Sequence, residues 1–167
     1  YEFSTIKKEL LILAKKGRSK DKILKLLAHP VRLEFLTAIA VKSKFSQIQV
    51  IPNYPCDDEG LPTSTAGGGK GDIECYENSD GILIEVSMSA GRQQVQAESS
   101  PVARHLQNFK EIVNSSMCIF IAPTIYPDTE DYYEWSRERK NIYIYPKTID
   151  EFLDHIDSSE KLYIEDR

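Results

Sequence analysis

The segment Ile82-Leu83-Ile84-Glu85-Val86 is the tightest constraint on what this chain can become. Read with a period of two, Ile82, Ile84 and Val86 face one side, while Leu83, Glu85 and Ser87 face the other. So apolar a strand belongs in a core, and burying a lone carboxylate there costs several kcal/mol unless it is paired or meets a cation. A strand end that emerges into solvent, or an arginine beside Glu85, would answer the same cost. Asp72 sharpens the question, because it opens the preceding strand. A hairpin through Asn78 and Gly81 brings its carboxylate toward Glu85. Two adjacent carboxylates repel, and a divalent cation resolves the repulsion; Mg²⁺ commonly takes one or two protein carboxylates and leaves its other positions for water and phosphate oxygens. The plainer alternative is an Asp72 that caps its strand, with Glu74 and Glu77 as decoration.

Around that hairpin the chain reads as helices, a strand meander, then alternating helices and strands. Residues 5–16 form an amphipathic helix, with Ile6, Leu10, Leu11 and Leu13 set among lysines, and Gly17 ends it. Ser19 can cap a short second helix carrying Ile23, Leu24, Leu26 and Leu27. A third helix begins at Pro30, where proline suits the first turn, and is apolar almost all the way round. Residues 46–51 alternate as a strand. From Pro52 to Gly71, three prolines and the run Gly67-Gly68-Gly69 predict a long loop. Strands at 72–76 and 81–87 follow, then a helical segment over 92–113 in which Ser100-Pro101 marks a kink or a fresh start. Residues 117–122 and 141–145 are further strands. Thr129 can cap a helix between them, and Thr148 a last helix through residue 156. The order predicts an α/β fold: a mixed central sheet flanked by helices, preceded by a helical N-terminal segment over residues 1–28.

Several helical residues can reach the hairpin's acidic end. Glu34 lies in the most hydrophobic helix and either pairs with a base such as Arg32 or points toward Asp72 and Glu85. If the later helix is continuous, Gln94, Glu98 and His105 fall within about 40° of one another, on one border of its apolar stripe. His29 and His155 have no such company and read as surface or packing residues. Gly67 to Gly71 invites a phosphate-loop reading but fails it, since no hydroxyl residue follows Lys70 and a strand comes next.

Charge and composition exclude other classes. The net charge of −5 argues against an autonomous nucleic-acid binder, although residues 1–44 carry eleven Lys or Arg against four Asp or Glu. That basic segment can face a polyanion, or simply balance an acidic body. No apolar run is long enough for a membrane span and no secretory signal is evident, so a cytoplasmic protein is expected. Cys56, Cys75 and Cys118 are odd in number and scattered, which suits a reducing compartment and no zinc site. A serine hydrolase elbow is missing.

Asp72 followed thirteen residues later by Glu85-Val86-Ser87 resembles the skeleton of the PD-(D/E)xK nucleases. With Pro30-Val31-Arg32-Leu33-Glu34-Phe35-Leu36 upstream, and Gln94, Glu98 and Ala103-Arg104-His105-Leu106 downstream, the chain resembles the cleavage domains of AlwI-type type IIS restriction endonucleases and related nicking enzymes. The resemblance spans roughly residues 30–120. It implies a nuclease cleavage domain over residues 29–167, in a prokaryotic cytoplasm, that hydrolyses phosphodiesters with Mg²⁺, with Mn²⁺ as a substitute. Asp72, Glu85 and the backbone carbonyl of Val86 would bind the metal, Glu34 would complete the acidic site, and Glu98 and His105 would support it or handle water and protons. Ser87 departs from the family skeleton, because it stands where the motif has lysine. Lys70, or Glu98 and His105, would have to replace that charge.

Complete type IIS enzymes of this kind carry a large recognition region that these 167 residues lack, so the resemblance narrows to the small subunit of a heterodimeric enzyme. A large subunit would then recognise DNA and cut one strand, while this chain, a weak DNA binder alone, cuts the other. The chain opens on Tyr1, which points to a missing or trimmed start. The competing expectations are a free-standing nuclease and a catalytically silent interaction module on the same fold.

Overall fold

The computed structural model describes residues 1–165; the last two positions of the predicted main domain lie outside them. Helix α1 (Phe3–Ala14) and a three-residue 3-10 turn (Leu24–Leu26) lead into α2 (His29–Lys44). Strands β1 (Gln49–Pro52), β2 (Ile73–Glu77) and β3 (Asp80–Val86) come next. Then α3 (Gly91–Ile112), β4 (Ser116–Ala122), α4 (Pro127–Lys140), β5 (Ile144–Thr148) and α5 (Ile149–Ser158) complete the chain. The five strands lie side by side in chain order. β1–β2 and β2–β3 are antiparallel, whereas β3–β4 and β4–β5 are parallel. A parallel step needs a crossover, and α3 and α4 supply the two.

The alternation of β3 sorts the layers as predicted. Ile82 and Ile84 join Ile73, Ile119 and Ile121 in a core with α1, α2 and α5. Leu83 turns the other way, with Phe120 and Ile144, against Val102, Leu106 and Phe109 of α3 and Tyr133 of α4. β4 is buried along its whole length, as a central strand covered on both faces must be. Helix α1 is not a free appendage: Ile6, Leu10 and Leu13 sink into the same core as α2 and α5.

Several local expectations are corrected. The segment after Gly17 is one 3-10 turn; Asp21, rather than Ser19, accepts the amides of Ile23 and Leu24. Thr129 does not cap α4, which starts two residues earlier at Pro127, so its hydroxyl is buried without a partner. Thr148 does cap α5, accepting the Glu151 amide at 3.1 Å. The last strand sits three residues beyond its predicted start, because the register with β4 pairs Cys118 to Ile144 and Ala122 to Thr148. Proline at 146 is tolerated there because β5 is an edge strand.

Helix α3 decides the site, and it runs unbroken through Pro101. Its C-terminal half lies so close to β3 that a Cβ at Gly81 would come within 2.7 Å of the Phe109 ring and 3.1 Å of Val113. Gly81→Ala should therefore destabilise the protein by about 1–3 kcal/mol through overpacking. Urea unfolding monitored by circular dichroism measures this, and an unchanged midpoint would contradict the close approach.

Candidate active site

Pairing of Ile73 with Ile84 sets Asp72, just before β2, beside Glu85 near the end of β3. Three contacts hold the entry to β2. The Asn53 side-chain amide donates to the Gly71 carbonyl at 2.8 Å, and the Asn53 backbone amide donates to the Asp72 carbonyl at 2.9 Å. The Val86 amide donates to Asp72 Oδ2 at 2.8 Å. Gly71 is required by sterics, since a Cβ there would overlap Leu83 Cδ1 at 2.2 Å.

Glu34 reaches the same place from α2. It is buried at 4% exposure and its Oε2 accepts the Ala66 amide at 2.9 Å. Arg32 is not its partner; that guanidinium donates to the Gly17 carbonyl instead. From α3, Glu98 accepts the Ser87 hydroxyl at 2.9 Å, and His105 Nδ1 meets Glu85 Oε1 at 2.5 Å. Gln94, expected on the same border, faces away and is fully buried. It bridges the carbonyls of Ser89 and Thr124 and accepts the Tyr126 amide, which ties the start of α3 to the loop before α4. His29 and His155 stand apart from this cluster, His155 bonding the Leu162 carbonyl.

Glu34, Asp72, Glu85, Glu98 and His105 thus line one cleft of about 540 Å³, with the Val86 and Ser87 positions on its wall. Among the described residues, no lysine or arginine pairs with any of the four carboxylates. Their electrostatics record the strain of that crowding. Burial, then repulsion from Asp72, pushes Glu34 up to about 8. Burial and Glu85 hold Asp72 well above the usual carboxyl range, even though the Val86 amide pulls it down. Burial, with Glu98 and Glu34 adding to it, raises Glu85 to about 8 against a lowering hydrogen bond from Asp72. Burial also lowers His105, against the pull of Asp72 and Glu98.

Among the described residues, no group of three or more His, Cys, Asp or Glu side chains is arranged to hold a metal ion by itself. The donor set nonetheless suits a hard divalent cation: oxygen ligands, two carboxylates side by side, and excess negative charge with no cationic side chain paired to it.

Asn53 and the Ala66 amide were not among the predicted site residues. Asn53 matters only because β1 pairs with β2, and Ala66 contributes a backbone group, which leaves no mark in side-chain chemistry.

Comparison with known proteins assigns the class. No curated protein sequence matches the chain. Nine solved chains do, and one is the small subunit of the heterodimeric restriction endonuclease R.BspD6I. That crystal structure aligns with a TM-score of 0.77 and 25% identity, over 92% of this chain and 76% of that one. The class is therefore restriction endonuclease. The chain belongs to the AlwI restriction endonuclease family, whose model matches residues 5–154, and it is accordingly a nuclease.

The raised carboxyls fix how stability should respond to pH in metal-free protein. Folding lifts Glu34 from its ordinary value near 4.5 to about 8, so the folded state binds more protons than the unfolded one between those values. Stability from this group is full below the unfolded value and is lost as pH rises toward 8. Glu34→Gln should therefore raise the thermal midpoint, measured with a chelator, by about 2–6 °C at pH 8 and by little at pH 4. A variant less stable than the parent at pH 8 would contradict the burial of that charge.

Proposed function

We propose that this chain is the small catalytic subunit of a heterodimeric type IIS restriction endonuclease. It cuts one DNA strand with Mg²⁺, while a larger subunit recognises the site and cuts the other. The observation that carries this reading is the convergence of Glu34, Asp72, Glu85, Glu98 and His105 in a single cleft whose carboxylates pair with no lysine or arginine among the described residues. The likeness to the small subunit of R.BspD6I supports the heterodimeric arrangement. In this reading residues 1–28 are a basic helical segment and residues 29–167 the cleavage domain, of PD-(D/E)xK type.

Asp72, Glu85, Glu34 and the Val86 carbonyl would hold the cation. When bound, it would offset charge on the phosphodiester oxygens and, by polarising them, leave the phosphorus more open to attack. The protein's own groups prepare the geometry. The Val86 amide fixes the rotamer of Asp72, and the Ala66 amide fixes that of Glu34. Ser87 orients Glu98. Glu85 engages His105 through Nδ1, which leaves Nε2 as the nitrogen able to take or give a proton at the cleft. With Glu98 beside it, His105 can move a proton as the phosphodiester opens.

The test uses the chain together with the large subunit, on supercoiled DNA carrying the recognition site. The parent pair should linearise the plasmid with Mg²⁺ and fail with chelator. Asp72→Ala or Glu85→Ala should lower the second cut by at least about 100-fold and leave nicked circles. Continued double-strand cleavage by both variants would sink the reading, and full linearisation by this chain alone would favour a free-standing nuclease.

A further inference from the structure

The cleft has an unbalanced charge. Glu34, Asp72, Glu85 and Glu98 all line it, and a single divalent cation leaves it net negative before a phosphodiester brings its own negative charge. The wall position that could carry a compensating cation is Ser87, whose hydroxyl is already engaged by Glu98 and Ser89. Yet one side chain of fixed positive charge does line the cleft among the described residues, and it is Lys70.

Three observations single it out. Lys70 is exposed and makes no hydrogen bond or ion pair among the described residues, although four carboxylates share its cleft. It also lines a smaller neighbouring pocket with His105, Leu83 and Phe109, so it stands on the ridge between the two, on the same side as His105. Finally, it follows Gly67-Gly68-Gly69, where Gly69 has φ of +90° and a Cβ at any of the three would meet nothing within 4 Å. Such a backbone lets the ammonium shift toward an arriving anion, whereas the buried Gly71 behind it anchors the loop on Leu83.

We propose that Lys70 contacts the scissile phosphodiester directly and supplies the positive charge that Ser87 does not. This rests on the nuclease site described above and names one further substrate-contacting residue in it. A lysine reaches a phosphate as a point charge on a flexible stem, so arginine should largely substitute for it and alanine should not.

The experiment uses the two-subunit enzyme with a short duplex labelled differently on each strand, under single-turnover conditions. Lys70→Ala should slow the strand assigned to this chain by about 100-fold, leave the other strand unchanged, and be rescued to within about 10-fold by Lys70→Arg. A second readout needs no cleavage: with Ca²⁺ in place of Mg²⁺, the salt dependence of duplex binding should lose about one phosphate contact in Lys70→Ala. Asp72→Ala runs in parallel. If Asp72→Ala stops that strand while Lys70→Ala cuts it at the parental rate, or keeps the parental salt slope, the Lys70 assignment is overturned. If Asp72→Ala leaves both strands cut, it is the nuclease assignment itself that fails.

Discussion

Everything in this protein turns on the repulsion between Asp72 and Glu85. The antiparallel register of β2 and β3 sets them beside each other, and burial raises the carboxyl of each. A carboxylate pair of this kind costs stability unless protonated or neutralised by a cation. The fold accepts that cost by surrounding the pair with firm supports instead of counter-ions. Val86 donates an amide to Asp72, His105 packs against Glu85, and Asn53 pins the strand entry. Under the proposed function, that strain is what a divalent cation would relieve on binding.

The rest of the architecture delivers residues to that point. α2 carries Glu34 in from one face of the sheet, and α3 carries Glu98 and His105 in from the other. Because the two helices lie on opposite faces, they can meet only beyond a sheet edge or end, and here they meet at the C-terminal end of β3. The continuity of α3 matters as much as its position. A break at Pro101 would have separated Glu98 from His105, whereas the unbroken helix keeps both in one cleft. Gly81 and Gly71 are the steric conditions of this assembly, the first admitting α3 and the second seating the start of β2 on Leu83.

Much of this was legible in the sequence because the signals were local. A lone acid in an apolar strand is conspicuous, and helical spacing alone aligned Glu98 with His105. Strands β3 and β4 were legible for the same reason, since each is a short, largely apolar run. What stayed hidden depends on pairing between distant segments. The last strand was misplaced because β4, and not the propensity of Pro146 or Lys147, chooses its register. Helical spacing puts Gln94 on the same border as Glu98 and His105, but its amide satisfies the carbonyls of Ser89 and Thr124 instead. Asn53 and the Ala66 amide act through partners about twenty and thirty residues away. The Thr129 hydroxyl has no partner that explains its burial.

The opposed charges of the chain occupy separate places: basic residues concentrate in the N-terminal segment, while four carboxylates gather in the cleft at the end of β3. The most direct test of this account is an anomalous diffraction map from crystals of the protein soaked in Mn²⁺. It should show one principal peak between the Asp72 and Glu85 carboxylates, absent in crystals of Asp72→Asn. A cleft without a peak at millimolar Mn²⁺, or a peak bound elsewhere that survives the substitution, would contradict the central claim.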